Sequence, residues 1–198
     1  QGLTNAQQIL QDVLDLLPAR RVPEFERLAS LISARTLEER RTLVETARDL
    51  LRVDGRVSPK DRLWWMALRH KMGVNAQNKP LPRNLSGTAR DLSTLPVAEL
   101  SHIAALTAYL ARFVPEPESP RGTSPQGRAW YTAVMTRCAA PEGLRTLTAA
   151  PDTDALAHAV ASVQELSWML RPVLLRAWVE EALNHSQHGL LNDETADA

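Results

Sequence analysis

His185 and His188 are the two residues of this sequence whose type and spacing come closest to a metal site. Because they are three residues apart, they would share one face of a helix and could both ligate zinc. Zinc in proteins takes three or four ligands, however, and no other ligand-type residues stand in a suitable pattern nearby. We therefore interpret both histidines as solvated turn residues and expect no metal or other cofactor in this chain.

Other candidates for catalysis are equally isolated. Glu180 and Glu181 are adjacent, so on a helix they point in different directions and do not form an acid–base pair. The single cysteine, Cys138, has no histidine or aspartate in a recognisable partner motif, which favours a small buried residue over a nucleophile. The sequence contains no H-E-x-x-H, no G-x-S-x-G and no phosphate-binding loop. We accordingly predict no catalytic residues.

Asp54 and Gly55 suggest a calcium loop at first, because such loops contain an aspartate followed by a glycine. The alternate positions after Asp54 are Arg56 and Ser58, and no glutamate closes the loop. A structural turn between two helices explains the segment better. This predicted turn comprises Asp54, Gly55, Val57, Ser58 and Pro59.

The element that contains this turn is a helical hairpin, residues 36–72. Thr36 and Glu39 are spaced as a capping box, which predicts the start of the first helix. Ser58 is placed to cap the second helix, and Val57 is expected to point back into the core. Apolar residues at helical spacing predict one buried stripe on the first helix: Leu37, Leu43, Val44, Ala47, Leu50 and Leu51. Trp65 lies beside the apolar stripe of the second helix, so we predict an interface role for it.

Composition supports an all-α protein. The 198 residues are rich in leucine, alanine and arginine and contain only eight glycines, which favours a multi-helix bundle built from hairpins. The formal net charge is zero, so no general basic field favours nucleic-acid binding, and none is expected. No apolar run approaches the ~20 residues that a membrane span needs. One cysteine excludes an internal disulfide and is consistent with a reducing compartment.

The chain is predicted to have two helical subdomains. Residues 1–79 carry 14 basic against 10 acidic side chains, and residues 80–198 carry 9 against 13. A connecting loop is predicted at 80–95, where proline, asparagine and glycine accumulate. The second subdomain, 96–198, includes a proline-rich mobile loop predicted at 115–126. Its last helix stops within its first turn, so we expect a segment of a longer protein.

The end of the chain is similar to the central hairpin. The predicted inward side of its first helix comprises Leu175, Trp178, Val179, Ala182 and Leu183. The turn that follows places Gly189, Leu191 and Asn192 where the central hairpin has Gly55, Val57 and Ser58. Both a two-copy repeat and two unrelated hairpins fit this pattern.

The central segment, L-V-E-T-A-R-D-L-L-R-V-D-G-R-V-S-P at 43–59, resembles the "A-D-G-x-(V/I)-(S/T)" hairpins of TerB-like domains. The whole chain resembles the soluble C-terminal region of bacterial HtpX-like membrane zinc metalloproteases. In that region a segment like Leu3 to Pro18 precedes two such hairpins. The first hairpin is similar to Leu43 to Leu68, and the second to Leu174 to Ala198.

Three further observations bear on this resemblance. The second hairpin also shares L-R-P-x-L-L, which is residues 170–175 here. The middle of the chain is similar only around Trp130 to Cys138. His188 stands where the second turn of the family usually has aspartate, which departs from the pattern.

The resemblance implies a function that the residues alone do not. It implies a non-catalytic accessory domain, regulatory or protein-binding, at the cytoplasmic face of the bacterial inner membrane. The zinc ligands and the catalytic glutamate of the parent protein would lie upstream of Gln1. The expected partner is another protein or the parent's own catalytic domain. The alternative is a stand-alone helical adaptor that binds a protein partner.

Overall fold

The structure, a computed structural model, describes residues 2–53, 55, 57–74, 91–115, 122–147 and 149–186. Within these ranges the chain forms nine α-helices and one short 3₁₀ helix, Leu92–Thr94, and contains no β-strand. The all-α fold class predicted from the sequence is therefore confirmed. The helices are α1 Gly2–Leu14, α2 Pro18–Ser33, α3 Leu37–Leu50, α4 Pro59–Lys71, α5 Val97–Leu110, α6 Pro125–Arg137, α7 Glu142–Arg145, α8 Thr153–Gln164 and α9 Leu170–His185.

The helices belong to two compact units. The first unit contains α1 to α4, and the second contains α5 to α9. The division predicted at 80–95 falls largely outside the described residues, which resume at Asp91. From there the 3₁₀ helix occupies the end of the predicted connecting loop.

Reciprocal caps open both helices of the central hairpin, as predicted for Thr36 and Ser58. The hydroxyl of Thr36 accepts a hydrogen bond from the Glu39 N–H, and the Glu39 carboxylate accepts one from the Thr36 N–H. Ser58 and Asp61 form the same pair of bonds at the start of α4. Each pair satisfies two backbone groups that a helix end would otherwise leave without partners.

The centre of the first unit is a small apolar cluster of Ala29, Val44 and Met72, which joins α2, α3 and the end of α4. Trp65 packs against this cluster and donates its indole N–H to the Val44 carbonyl, with 3.1 Å between Nε1 and O. Arg69 lies over the indole, 5.4 Å from the ring centre. The polar group of Trp65 is therefore satisfied within the unit, and an interface role for this residue stays a prediction.

The hairpin exposes several apolar side chains that were expected to be buried. Leu37 and Leu50 are 41% and 67% exposed, whereas Val44 is buried. The two exposed leucines are the first and last residues of α3, beyond the middle of the helix where neighbours pack. Val57 is also exposed, so the prediction that it points into the core was wrong.

Thr4 and Gln7 are spaced as a capping box, which predicts a helix at 5–17 that Pro18 ends, but the observed boundaries differ. The first helix spans Gly2–Leu14, so Thr4 cannot cap its start. Pro18 is the first residue of α2 rather than the end of α1. Proline is well suited to that first position, where its missing N–H would have had no intrahelical acceptor.

In the second unit α5 is buried on nearly all sides and packs against α6 and α8. A helix that is apolar all round requires neighbours all round. A close approach to the end of α5 occurs at Gly127 of α6, where an added Cβ would lie 2.1 Å from the Ala111 carbonyl oxygen. Only glycine fits that contact, so it brings the start of α6 against the end of α5.

Two boundaries in the second unit also differ from prediction. The hydroxyl of Ser124 accepts a hydrogen bond from the Gly127 N–H, and α6 begins at Pro125, so the predicted loop 115–126 ends too late. Residues 116–121 of that loop lie outside the described ranges. Residues 151–154 predict the start of a helix, and the apolar spacing that follows predicts that it runs to Leu170. The observed helix instead ends at Gln164, and α9 starts at Leu170. Among the described helices, none combines the length and apolar character required to span a membrane.

Candidate interaction surface

The candidate surface lies on α9, and the helical backbone of α9 begins slightly before its first residue, Leu170. The Ser167 carbonyl accepts hydrogen bonds from the N–H groups of Leu170 and Arg171, at 2.9 and 3.2 Å. Met169 has helical backbone angles. Trp168 and Met169 therefore follow the helical register of α9, which places Trp168 on the same face as residues 172, 175 and 179.

The inward side of α9 is held by two indole hydrogen bonds. Trp178 donates its Nε1–H to the hydroxyl of Thr107 on α5, and the distance is 3.0 Å. Trp130 of α6 donates its Nε1–H to the Trp178 carbonyl, also at 3.0 Å. Thr107 and Trp130 are almost completely buried, so these bonds determine the rotation of α9 about its axis. The residues of α9 that become buried are Leu170, Leu174, Ala177 and Ala182.

The opposite side of α9 exposes apolar side chains to solvent. Trp168 is 74% exposed, Leu175 is 59% exposed and Val179 is 38% exposed. The prediction that Leu175 and Val179 point inward was therefore wrong, because Leu174 and Ala177 are the inward residues. We call this region the α9 surface, and it comprises Trp168, Met169, Pro172, Val173, Leu175 and Val179.

Sequence reasoning missed Trp168 although a signal was present. Trp168 precedes Leu175 by seven residues and Val179 by eleven, which is the spacing of one helical face. Proline suits the first turn of a helix, so the sequence predicts that a new helix starts at Pro172 and separates Trp168 from the residues that follow. Exposed tryptophan within a contiguous apolar patch is typical of protein-binding sites.

The charges along α9 are divided between paired acids and unpaired bases. The guanidinium of Arg137 on α6 contacts both Glu180 and Glu181, the second at 3.3 Å. Arg171 and Arg176 make no ion pair or side-chain hydrogen bond with any described residue. The surface near Trp168 and Leu175 therefore carries positive charge that the described part of the protein does not neutralise.

A concave region lies between α6 and α7, with a volume of about 840 Å³. The residues that line it are Arg128, Thr132, Thr136, Glu142, Arg145, Thr146 and Leu147. Both arginines bond to main-chain carbonyls, Arg128 to Thr123 and Arg145 to Ala140. The Thr132 hydroxyl hydrogen bonds to the main-chain carbonyls of both arginines. These bonds fasten α7 to α6, so we assign the groove a structural role.

The predicted turn residues have conformational rather than chemical roles where the structure describes them. Gly55 has a φ of +74°, a left-handed conformation that glycine adopts without steric cost. Ser58 caps α4, and Pro59 is its buried first residue. Asp54 of this turn and Gly189, Leu191 and Asn192 of the closing turn lie outside the described residues.

Cys138 is fully buried at the end of α6, as predicted. Burial raises the pKa of its thiol from 9.0 to about 11, so the thiol stays protonated near neutral pH. Because the thiolate is the reactive form, this cysteine is a poor nucleophile. Its side chain contributes packing between helices.

His185 is the member of the predicted histidine pair that the structure describes. Its Nδ1 lies 2.9 Å from the main-chain carbonyl oxygen of Glu181. His188 lies outside the described residues, so their separation stays a prediction from the sequence. Within the described ranges, no cluster of three or more histidine, cysteine, aspartate or glutamate side chains could hold a metal ion.

Comparison with known proteins identifies no relative. No protein-family model matches the chain, and no curated protein or solved structure matches it significantly. The case for function therefore depends on the geometry of the α9 surface and on the resemblance of the two hairpin segments.

Proposed function

We propose that this chain is a non-catalytic helical accessory domain that binds protein, within an HtpX-like membrane zinc metalloprotease. The observation that carries the binding role is the α9 surface, where Trp168, Leu175 and Val179 are exposed along one helical face. Removing such a patch from water provides the main driving force for protein association.

The parent class is supported by the sequence resemblance alone. The hairpin segment at 43–59 and the L-R-P-V-L-L segment at 170–175 are the residues on which it depends. In this proposal zinc and the catalytic glutamate belong to a separate catalytic domain, and this domain lies at the cytoplasmic face of the inner membrane. Its partner is a substrate protein, a regulator or the catalytic domain itself.

The reading frame upstream of the Gln1 codon tests the parent class directly. We expect it to encode membrane-spanning segments and an H-E-x-x-H motif. A frame without them contradicts the protease assignment and favours the stand-alone adaptor, for which the α9 surface serves equally well.

Activity measurements test the accessory role. In the complete parent protein, Leu175→Glu should reduce cleavage of a folded protein substrate and leave cleavage of a short peptide unchanged, because the peptide needs only the catalytic domain. Leu50→Glu is the matched control, since Leu50 is 67% exposed on α3. Zinc-dependent cleavage by residues 1–198 alone contradicts the proposal.

A further inference from the structure

We propose that the α9 surface binds an acidic amphipathic helix of a partner protein, with apolar residues of that helix against Trp168, Leu175 and Val179 and carboxylates against Arg171 and Arg176. This inference rests on the proposed protein-binding function and specifies the partner. It follows from three properties of α9: the geometry of the apolar face, the helical backbone beneath it, and the positions of the two arginines.

The geometry sets the length of the partner. Trp168 and Val179 are eleven positions apart, which is about 16 Å at 1.5 Å per residue. Apolar side chains recur on this face at intervals of three or four residues, through Pro172 and Leu175. A partner helix of three to four turns with apolar residues at the same intervals would cover the face.

The backbone of α9 favours a helical partner. Its backbone is helical from Leu170 to His185, so the surface offers no free strand edge to which an extended peptide could add. A partner that binds this face through side chains must hydrogen bond its own backbone groups internally, because binding removes the water that would otherwise satisfy them. A helix does so internally, whereas an extended peptide would leave its groups without partners.

The arginines specify the charge of the partner. Arg171 precedes Leu175 by four residues and Arg176 follows Pro172 by four, so they flank the apolar face on opposite sides. Both lack a carboxylate partner among the described residues, whereas Glu180 and Glu181 are already engaged by Arg137. Aspartate or glutamate on both flanks of a partner helix would therefore complement this face.

The same arginines disfavour a second copy of this chain as the occupant. In an antiparallel pairing that overlaps the whole apolar face, Trp168 of one copy lies opposite Val179 of the other. Because the two arginines flank the face on opposite sides, each edge of this contact then carries the same arginine from both copies. In a parallel pairing each edge carries Arg171 of one copy and Arg176 of the other, so both arrangements place like charges along each edge.

Two synthetic peptides of about 14 residues test the inference. Both carry leucine at positions of one helical face, and they differ only in flanking residues, which are glutamate in one and lysine in the other. With the full chain, fluorescence anisotropy should show at least about tenfold tighter binding of the glutamate peptide. Equal binding, or binding of neither peptide, overturns the inference.

Charge reversal on the protein provides the sharper test. The double variant Arg171→Glu/Arg176→Glu should invert the preference, so that the lysine peptide binds more tightly, because the apolar contact is unchanged. Trp168→Ala and Leu175→Glu should each weaken binding of the glutamate peptide at least about tenfold, and Leu50→Glu should leave that binding unchanged. All altered side chains are exposed, and circular dichroism checks that each variant is folded.

Sedimentation of the full chain alone completes the design. A dimer that Leu175→Glu dissociates overturns the inference in favour of a second copy as the occupant. The fluorescence of Trp168 is the difference between the native chain and Trp168→Phe. If a soluble quencher reaches Trp168 poorly in the free chain, the inference is also overturned, since the face would already be covered. These outcomes leave the reading-frame test of the parent class independent, so the two proposals can fail separately.

Discussion

Trp178 of α9 donates its indole N–H to the hydroxyl of Thr107 on α5, and 3.0 Å separates the two atoms. Thr107 is fully buried, and its hydroxyl in turn donates to the Ile103 carbonyl at 2.7 Å. Since a residue on α9 can turn inward only if its neighbours turn outward, this contact also determines which apolar residues of α9 meet solvent. The exposure of Leu175 and Val179 is a consequence of it.

Replacing Thr107 with valine should therefore destabilise the second unit. Valine has nearly the same shape but cannot accept the hydrogen bond, so the Trp178 N–H loses its partner. A buried donor without a partner costs about 1–3 kcal/mol, which urea unfolding of the variant would measure. Thr107→Ser retains the hydroxyl and is the matched control. Equal losses from both substitutions would show that packing, not the hydrogen bond, matters at this position.

The close approach of α5 and α6 predicts a strong response at Gly127. A Cβ at this position would lie 2.1 Å from the Ala111 carbonyl oxygen, so Gly127→Ala forces the two segments apart. We expect a loss of about 1–3 kcal/mol or more in the free energy of unfolding. At Gly143 of α7 an added Cβ meets no atom within 4 Å, so Gly143→Ala is the control and should be neutral or slightly stabilising. Similar unfolding midpoints for both variants would contradict the close contact.

The capping box at Thr36 predicts a pH-dependent effect. Hydrogen bonds from the N–H and hydroxyl of Thr36 lower the pKa of Glu39 below 4.5. Because the folded pKa is lowered, the stabilisation is present above pH 4.5 and is lost as pH falls through the folded pKa. Thr36→Ala should cost about 1 kcal/mol at neutral pH and move the pKa of Glu39 back toward 4.5, which an NMR titration would follow.

Thr42→Ala serves as the control for that experiment. Thr42 lies within α3, and its hydroxyl donates to the Glu38 carbonyl rather than capping the helix. The pKa of Glu39 should not change in this variant. A shift of the same size in both variants would mean that general changes in α3, and not the cap, lower the pKa.

Burial of Cys138 predicts a loss of stability at high pH. Its thiol has a folded pKa of about 11 against an ordinary value of 9.0. Because the folded pKa is raised, the contribution of the buried thiol to the free energy of unfolding is complete below pH 9.0. This contribution is lost as pH rises toward about 11. The difference in melting temperature between the native chain and Cys138→Ala should therefore change across this window and stay constant below it. A constant difference from pH 7 to 11 would contradict the raised pKa.

Local signals in the sequence predicted much of the fold. The caps at Thr36 and Ser58 form within a few residues, so the sequence pattern alone identifies them. Glycine at position 55 and proline at position 59 act in the same local way. By contrast, Pro18 was predicted to end a helix and instead begins one, because the same residue suits either role.

The sequence by itself determined that α9 is an apolar helix, but not which side of it faces the core. Leucine, valine and tryptophan occur on both sides, so periodicity could not distinguish Leu174 from Leu175. The tertiary structure decided between them through the hydrogen bonds of Trp178 to Thr107 and of Trp130 to Trp178. The physical reason is that burial depends on partners from α5 and α6, which are distant in sequence, whereas a helical pattern depends only on neighbours along the chain.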